Sequence, residues 1–217
     1  MKVVATSAIL SVIVTTPAFS QNLLVNGDFE DRAISGGMLF VNPGMTDITG
    51  WIVGGPNSVD LIRDAWVSQS GSQSIDLNGW GESSLGQWVP LTAGQQYVLS
   101  FWVAGNTETR WYSTPSVKSM DVFVGSLLLA DNVQFDTQGK SSTTMGWDFR
   151  RFEFTANATG NTFVQFVSGN GSPMGIALDN VVVAPLSAAV PEPGEWAAMG
   201  ILGAGLAGLV IRKRRAA

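Results

Sequence analysis

The 217-residue chain contains no cysteine and no histidine. These two absences remove the Ser-His-Asp triad, the cysteine nucleophile, the zinc finger and the iron–sulfur cluster, and they forbid a disulfide framework. Stability must come from a packed core or a bound ion. Charge is scarce too: Asp, Glu, Lys and Arg make up 13% of residues, against ~25% in ordinary globular domains. The balance is acidic, with 17 Asp and Glu, 12 Lys and Arg, and a net charge of −5. Nucleic acid requires a basic field, so no such partner is expected. A Gly-rich phosphate loop, a Ser-x-x-Lys pair and a nucleophile elbow are also missing.

The two ends read as targeting segments. Lys2 forms a short positive n-region, residues 3–14 are almost all apolar or small, and Pro17 breaks the run before Ala18-Phe19-Ser20. This is the pattern of a secretory signal peptide over residues 1–20, with signal peptidase cutting after Ser20. Export would carry the chain to a compartment that permits disulfides, yet it has none to form. At the other end, Pro191-Glu192-Pro193 precedes a Gly-rich apolar run, residues 196–211, and the basic end Arg212-Lys213-Arg214-Arg215. As a helix that run would rise ~24 Å, close to the span of a bilayer core. Cations stay on the cytoplasmic side, so the remainder of the chain would lie outside.

The order of motif, apolar helix and basic end, read as VPEPGEWAAMGILGAGLAGLVIRKRR, resembles a PEP-CTERM sorting signal in the variant where Trp-Ala follows the motif. That resemblance implies a Gram-negative exporter of exopolysaccharide. It also implies processing by exosortase near Pro191, Glu192 and Pro193, with the membrane helix as a temporary anchor. Residues 187–217 would then be an address, leading to the cell surface or the extracellular matrix.

Residues 21–186 form a domain more acidic than the chain as a whole, since Lys2 and the four tail cations fall outside it. Such a surface suits calcium or neutral sugars better than polyanions. Its patterning is that of strands. Tyr97, Leu99, Phe101 and Val103 alternate with Val98, Ser100, Trp102 and Ala104, and Phe152 and Phe154 share a face opposite Arg151, Glu153 and Thr155. Further strands are expected at 74–77, 85–89, 118–124, 162–168 and 175–183, separated by Gly and Asn turn signals. No helix-period segment of useful length occurs. The expected fold is all-β, a sandwich or jelly roll, with its longest loop at 106–116.

Asp179 stands out. It lies in an apolar strand on the parity of Ala177, Val181 and Val183, and a carboxylate on an inward face must be paired, hydrogen-bonded or metal-bound. Arg150 or Arg151 could pair with it, or it could cap a turn through Asn180. Asp76 is a weaker candidate of the same kind, expected on a polar face. The domain opens with Asn26-Gly27-Asp28-Phe29-Glu30, continues through Gly50-Trp51, Val59-Asp60-Leu61 and a stretch from Gly71 to Gly79, and closes with Leu178-Asp179-Asn180-Val181. This set resembles the choice-of-anchor C domains of bacterial surface proteins and, more distantly, galactose-binding-like jelly rolls and carbohydrate-binding modules. The resemblance implies a structural Ca2+ held by Glu30 and Asp179, completed by carbonyls near Gly27 or Asp28 and around residues 71–74.

Most of the eight tryptophans are expected to fill the core, among them Trp51, Trp88, Trp102 and Trp147. Trp80, between Gly79 and Gly81, and the loop cluster of Arg110, Trp111 and Tyr112 with Glu108 nearby are the exceptions. Loop aromatics beside polar groups are what a glycan site needs, and equally what a loop needs to fold down on a sheet. The expected role is a sorted envelope or exopolysaccharide-matrix protein without catalysis. A module for a defined glycan is the alternative. A glycosidase, which needs only two carboxylates, is the third reading, although Glu82, Glu108 and Glu153 show no pairing in the sequence.

Overall fold

The computed structural model describes residues 22–108, 113–169 and 171–186. Among the described residues eleven strands form two antiparallel sheets. β1 (Met38–Val41), β3 (Val59–Ile62), β4 (Ser74–Asp76), β11 (Ile176–Pro185), β6 (Gln96–Gly105) and β9 (Asp148–Thr155) lie side by side in that order. The second sheet runs β2 (Ile52–Gly54), β5 (Ser84–Leu91), β10 (Gly160–Ser168), β7 (Val117–Val124) and β8 (Leu127–Asp136). The chain changes sheet after every one or two strands, which makes this a jelly-roll β-sandwich. Among the described residues there is no α-helix.

Alternation sets the interior. β6 turns Leu99, Phe101 and Val103 inward, β11 turns Ile176, Leu178, Val181 and Val183, and all are fully buried. Leu85 and Val89 of β5, Met120 and Val122 of β7, and Val164 and Phe166 of β10 meet them from the other sheet. Phe101 stands edge-on to Phe166 across the sandwich, with ring centroids 5.2 Å apart. Each such side chain contributes about 1.5–3 kcal/mol by leaving water.

Trp51 is buried as expected. Trp88 is not: it is 56% exposed. It pairs in register with Phe163 on the outer face of the second sheet, the two rings 5.0 Å apart. Strand parity decides this, since Leu85 and Val89 take the inward positions and Trp88 falls between them.

A bulge in β11 reverses another expectation. Leu178 opposes Val103 and Asp179 opposes Trp102, but the register then slips, and Val182 opposes Ser100 while Val183 opposes Leu99. Opposed residues share a face, so Asp179 belongs with Trp102 and Val182 on the outer face, whereas Val181 and Val183 point into the core. The shared parity read from the sequence therefore fails. The cause is one extra residue, with Asn180 at φ 47°.

The N-terminal segment is laced to that bulge. Asn22 donates through Nδ2 to the Val181 carbonyl (2.8 Å), and its Oδ1 accepts from the Val183 amide (2.9 Å). The Val181 amide donates to the Gly27 carbonyl, and the Leu23 amide to the Val183 carbonyl, both at 2.8 Å. Inward-facing Gln87 holds Val25 at both its amide and its carbonyl. Trp51 donates from Nε1 to the Asn26 carbonyl (2.9 Å) and packs on buried Phe29. The opening motif, the Gly-Trp pair and the closing motif are thus three parts of one clasp. A Cβ at Gly27 would sit 2.1 Å from the Val181 carbonyl oxygen. Gly27→Ala should therefore destabilise the full-length chain by about 1–3 kcal/mol. Gly37→Ala, where no atom lies within 4 Å, should leave the thermal unfolding curve unchanged.

Candidate functional site

Two carboxylate pairs lie on the outer face of the six-stranded sheet or under the loops that cover it. The first is the pair that the resemblance implied. Asp179 is fully buried. Its Oδ2 accepts from the amides of Gln69 (2.9 Å) and Ser70 (3.3 Å), and its Oδ1 from that of Asn180 (2.7 Å). Glu30 accepts through Oε1 from the amides of Ser72 and Gln73, each at 2.7 Å, and through Oε2 from the Ser72 hydroxyl at 2.9 Å. One turn, residues 68–73, is gripped from both ends of the domain sequence. Gly71, at φ +60°, lets the turn pass within 2.4 Å of Glu30 Oε1, measured from where a Cβ would stand.

Burial pushes the Asp179 carboxyl up to about 7, against the pull of its three backbone donors, and neighbouring Glu30 pushes the same way. Neither arginine reaches it: Arg150 pairs with Asp148 (2.5 Å) and Arg151 with Glu153 (2.7 Å). The carbonyls expected to complete a calcium site are partly committed, Gly27 O to the Val181 amide and Gly71 O to the Ser68 hydroxyl (3.2 Å). In kind the donors fit a hard cation, with two carboxylates, no soft ligand and no ion pair to either among the described residues. Among those residues no three His, Cys, Asp or Glu gather as a metal cluster.

The second pair was not foreseen as one. Phe40, Asp60, Asp76, Ala177 and Ala104 stand opposite one another across β1, β3, β4, β11 and β6. Two aspartates therefore face each other on adjacent strands, an arrangement that costs stability. Asp76 is well served: its Oδ1 accepts from the amides of Asn78 and Gly175, both at 3.0 Å, and its Oδ2 from Asn106 Nδ2 at 2.7 Å. Lys118, buried and donating from Nζ to Thr114 Oγ1 (2.9 Å), supplies a nearby positive charge. Burial outweighs these and raises Asp76 to about 6; it also lowers the Lys118 ammonium, which the Asp76 charge supports.

Asp60 is only 5% exposed and accepts a single hydrogen bond among the described residues, from the Ser58 hydroxyl to Oδ1 (3.2 Å). Burial first, then the Asp76 charge, pushes it up to about 8. Gly79 makes this packing possible. A Cβ there would lie 2.1 Å from Ser58 Oγ and 2.2 Å from Asp60 Oδ1. The tight passage leaves Trp80 standing over the sheet, 56% exposed, with its ring 5.2 Å from that of Phe40. Together with Trp66, Glu108 and Lys140, these groups line a cleft of about 810 Å³.

Of the loop residues singled out in the sequence, Trp80 and Glu108 line this cleft. Arg110, Trp111 and Tyr112 lie outside the described residues, as do the sorting residues Pro191, Glu192 and Pro193. Asp76 sits on the outer face yet is buried, because the loops cover it. Asp60 was missed as a functional residue. The one available signal was an acid between Val59 and Leu61 in an otherwise apolar strand, the same anomaly that marked Asp179.

Residues 22–184 match the family model described as protein of unknown function DUF642. The chain belongs to the DUF642 family. A PEP-CTERM protein-sorting motif matches at residues 189–215, so the DUF642 domain belongs to an exported protein sorted to the surface. Halomucin of Haloquadratum walsbyi is 29% identical over 181 residues, which cover 78% of this chain and 2% of that protein. The chain thus spans only a small fraction of the curated relative. Among solved structures, a family 35 carbohydrate-binding module from Clostridium thermocellum is 15% identical with a TM-score of 0.45, covering 68% of this chain and 98% of its own. TmCBM61, solved with β-1,4-galactotriose, is 18% identical with a TM-score of 0.44, covering 76% and 99%.

The DUF642 cleft should leave a mark on stability. Asp60 and Asp76 both hold their protons more tightly folded than unfolded, where the usual value is 3.8. Their acid forms favour the native state fully below about pH 4, and this contribution is lost as pH rises through 6 and then 8. Asp179 adds in the same direction. Asp60→Asn should therefore flatten the fall in melting temperature between about pH 5 and 8.5 more than any other single carboxamide replacement, measured by thermal unfolding across that range.

Proposed function

We propose that this is an exosortase-processed surface or matrix protein whose DUF642 domain binds glycan, without cleaving it, in the cleft over the six-stranded sheet. The observation that carries this reading is the wall formed by Trp80 and Phe40 beside the hydrogen-bonding groups of Asp60 and Glu108. An exposed aromatic ring offers a sugar its face, while fixed polar groups orient the hydroxyls. The sorting motif at residues 189–215 supports a location beside exopolysaccharide, Trp196-Ala197 after the motif supports the Trp-Ala variant of the signal, and the apolar run would anchor the chain until processing. The domain keeps the choice-of-anchor C resemblance within this reading.

One short site of this kind binds weakly, at about 0.1–1 mM, or roughly −4 to −5.5 kcal/mol. Retention in a matrix then depends on many copies acting on one polymer. Pull-down on the producer's own exopolysaccharide should retain the full chain, and Trp80→Ala should reduce retention about tenfold or more. Equal retention of both would remove the cleft from the function, and release of shortened oligosaccharides in the same assay would make the protein a glycosidase.

A structural calcium between Glu30 and Asp179 belongs to the same proposal. A cation there would offset the repulsion between two carboxylates that already share one turn. Binding to the folded state alone would stabilise by about 2.7 kcal/mol at a hundredfold excess over Kd. Chelation should lower the melting temperature, and Asp179→Asn should abolish that sensitivity. A melting curve indifferent to calcium and to chelator would leave the two carboxylates as clamps on the turn.

A further inference from the structure

The cleft has a polar feature that a site for neutral sugars does not require. Asp60 is nine-tenths buried, lines the cleft, and accepts its one hydrogen bond on Oδ1, leaving Oδ2 with none among the described residues. Directly opposite is Asp76, whose own charge is satisfied by three donors and supported by Lys118. That compensation stops at Asp76. Lining the same cleft as Asp60 are aromatic rings, Trp80 against Phe40 and the buried Trp66. An aromatic wall beside an unengaged carboxyl oxygen is the arrangement that holds a compact organic cation, because ring faces and carboxylate both attract positive charge.

We propose that the cleft selects an ammonium-bearing ligand, in particular a glycan whose amino sugars carry a free amine, with the cationic nitrogen seated between Asp60 and the Trp80–Phe40 wall. This deepens the glycan-binding reading and rests on it for the sugar part of the ligand, not for the ammonium part. An N-acetyl group at the same position would present a neutral amide to the carboxyl and lose both attractions. Gly79 is part of the device, since its missing side chain brings Ser58, Asp60 and Trp80 into one cradle.

Pairing with a cation is linked to the protonation of Asp60. The groups around Asp60 are Asp76 and, behind it, Lys118, with Glu108 and Lys140 in the cleft lining. Burial and the Asp76 charge push the Asp60 carboxyl up to about 8, and a seated cation favours its ionised form. An incoming ammonium forms its ion pair with the carboxylate, so the proton passes to solvent as the cation seats, and charge in the cleft is conserved. Where the carboxyl is protonated before binding and the amine already charged, seating the cation releases up to one proton per site.

The test uses the full chain in detergent and isothermal titration calorimetry with four probes: glucosamine tetramer, its fully N-acetylated counterpart, cellotetraose and choline. Repeating each titration at neutral pH in two buffers of different ionisation enthalpy counts the protons. The amine tetramer should bind about tenfold or more tightly than the other two sugars and release a proton. Asp60→Asn should abolish both the preference and the release, while Trp80→Ala should weaken every probe. Choline binding with no sugar binding would uphold the ammonium site and overturn the glycan reading. Equal binding of the three sugars would do the reverse. Failure of all four probes would overturn both. Should Asp60→Asn not fold, the wild-type selectivity decides: no preference for the amine tetramer over its N-acetylated counterpart overturns the inference.

Discussion

The structure depends on one irregularity, the bulge that follows Asp179. A strand that continued in register would have placed Asp179, Val181 and Val183 on one face, and the core would have had to accept a carboxylate or lose two valines. The extra residue lets both demands be met: the valines go inward and the acid goes outward, under the turn at 68–73. The bulge also frees the Val181 backbone from regular pairing, and the N-terminal segment takes up those groups through Asn22 and Gly27. The first residues of the domain are therefore held by the last strand, closing nearly the whole chain of the sandwich through one local distortion.

The same outer face carries both acidic pairs, and their chemistry differs for a local reason. Asp179 and Asp76 are saturated with backbone or amide donors, so each does structural work on a loop. Asp60 has a single hydroxyl partner among the described residues, and its other oxygen, which accepts none from them, shares a cleft with aromatic rings. In a chain with no disulfide and little charge, ordering these loops falls to carboxylates that accept several N–H groups at once. The cost of burying them is visible in the raised proton affinities of all three. Where one partner set is incomplete, that cost becomes the capacity to bind something else.

Much of the sandwich could be read from residue order. β5, β6, β7, β9, β10 and β11 alternate strongly enough to be recognised, and β4 was recognised with them. β1, β2 and β3 were not: three or four residues are too few to show a period of two, and β4, just as short, was picked out only within the longer stretch 74–77. β8 escaped for another reason: Met120 opposes Val133 but Val122 opposes Ala130, so extra residues around Asn132, at φ 50°, break the period of two. Trp88 was misplaced because an aromatic residue in a strand reads as core until its neighbours' parity is known.

Local periodicity and motif order alone determined the all-β class, the sorting signal and the absence of cysteine and histidine chemistry, and they marked Asp179 as an acid in an apolar strand, whereas Glu30 was singled out only through a family resemblance. These follow from local pattern and from what residue types can do. Only the tertiary structure decided which face Asp179 occupies, that Glu30 and Asp179 grip the same turn, and that Asp60 confronts Asp76 beneath Trp80. The reason is physical. A bulge, a cross-strand register and a loop folded over a sheet each depend on contacts between residues tens of positions apart, and local periodicity carries no record of those distances.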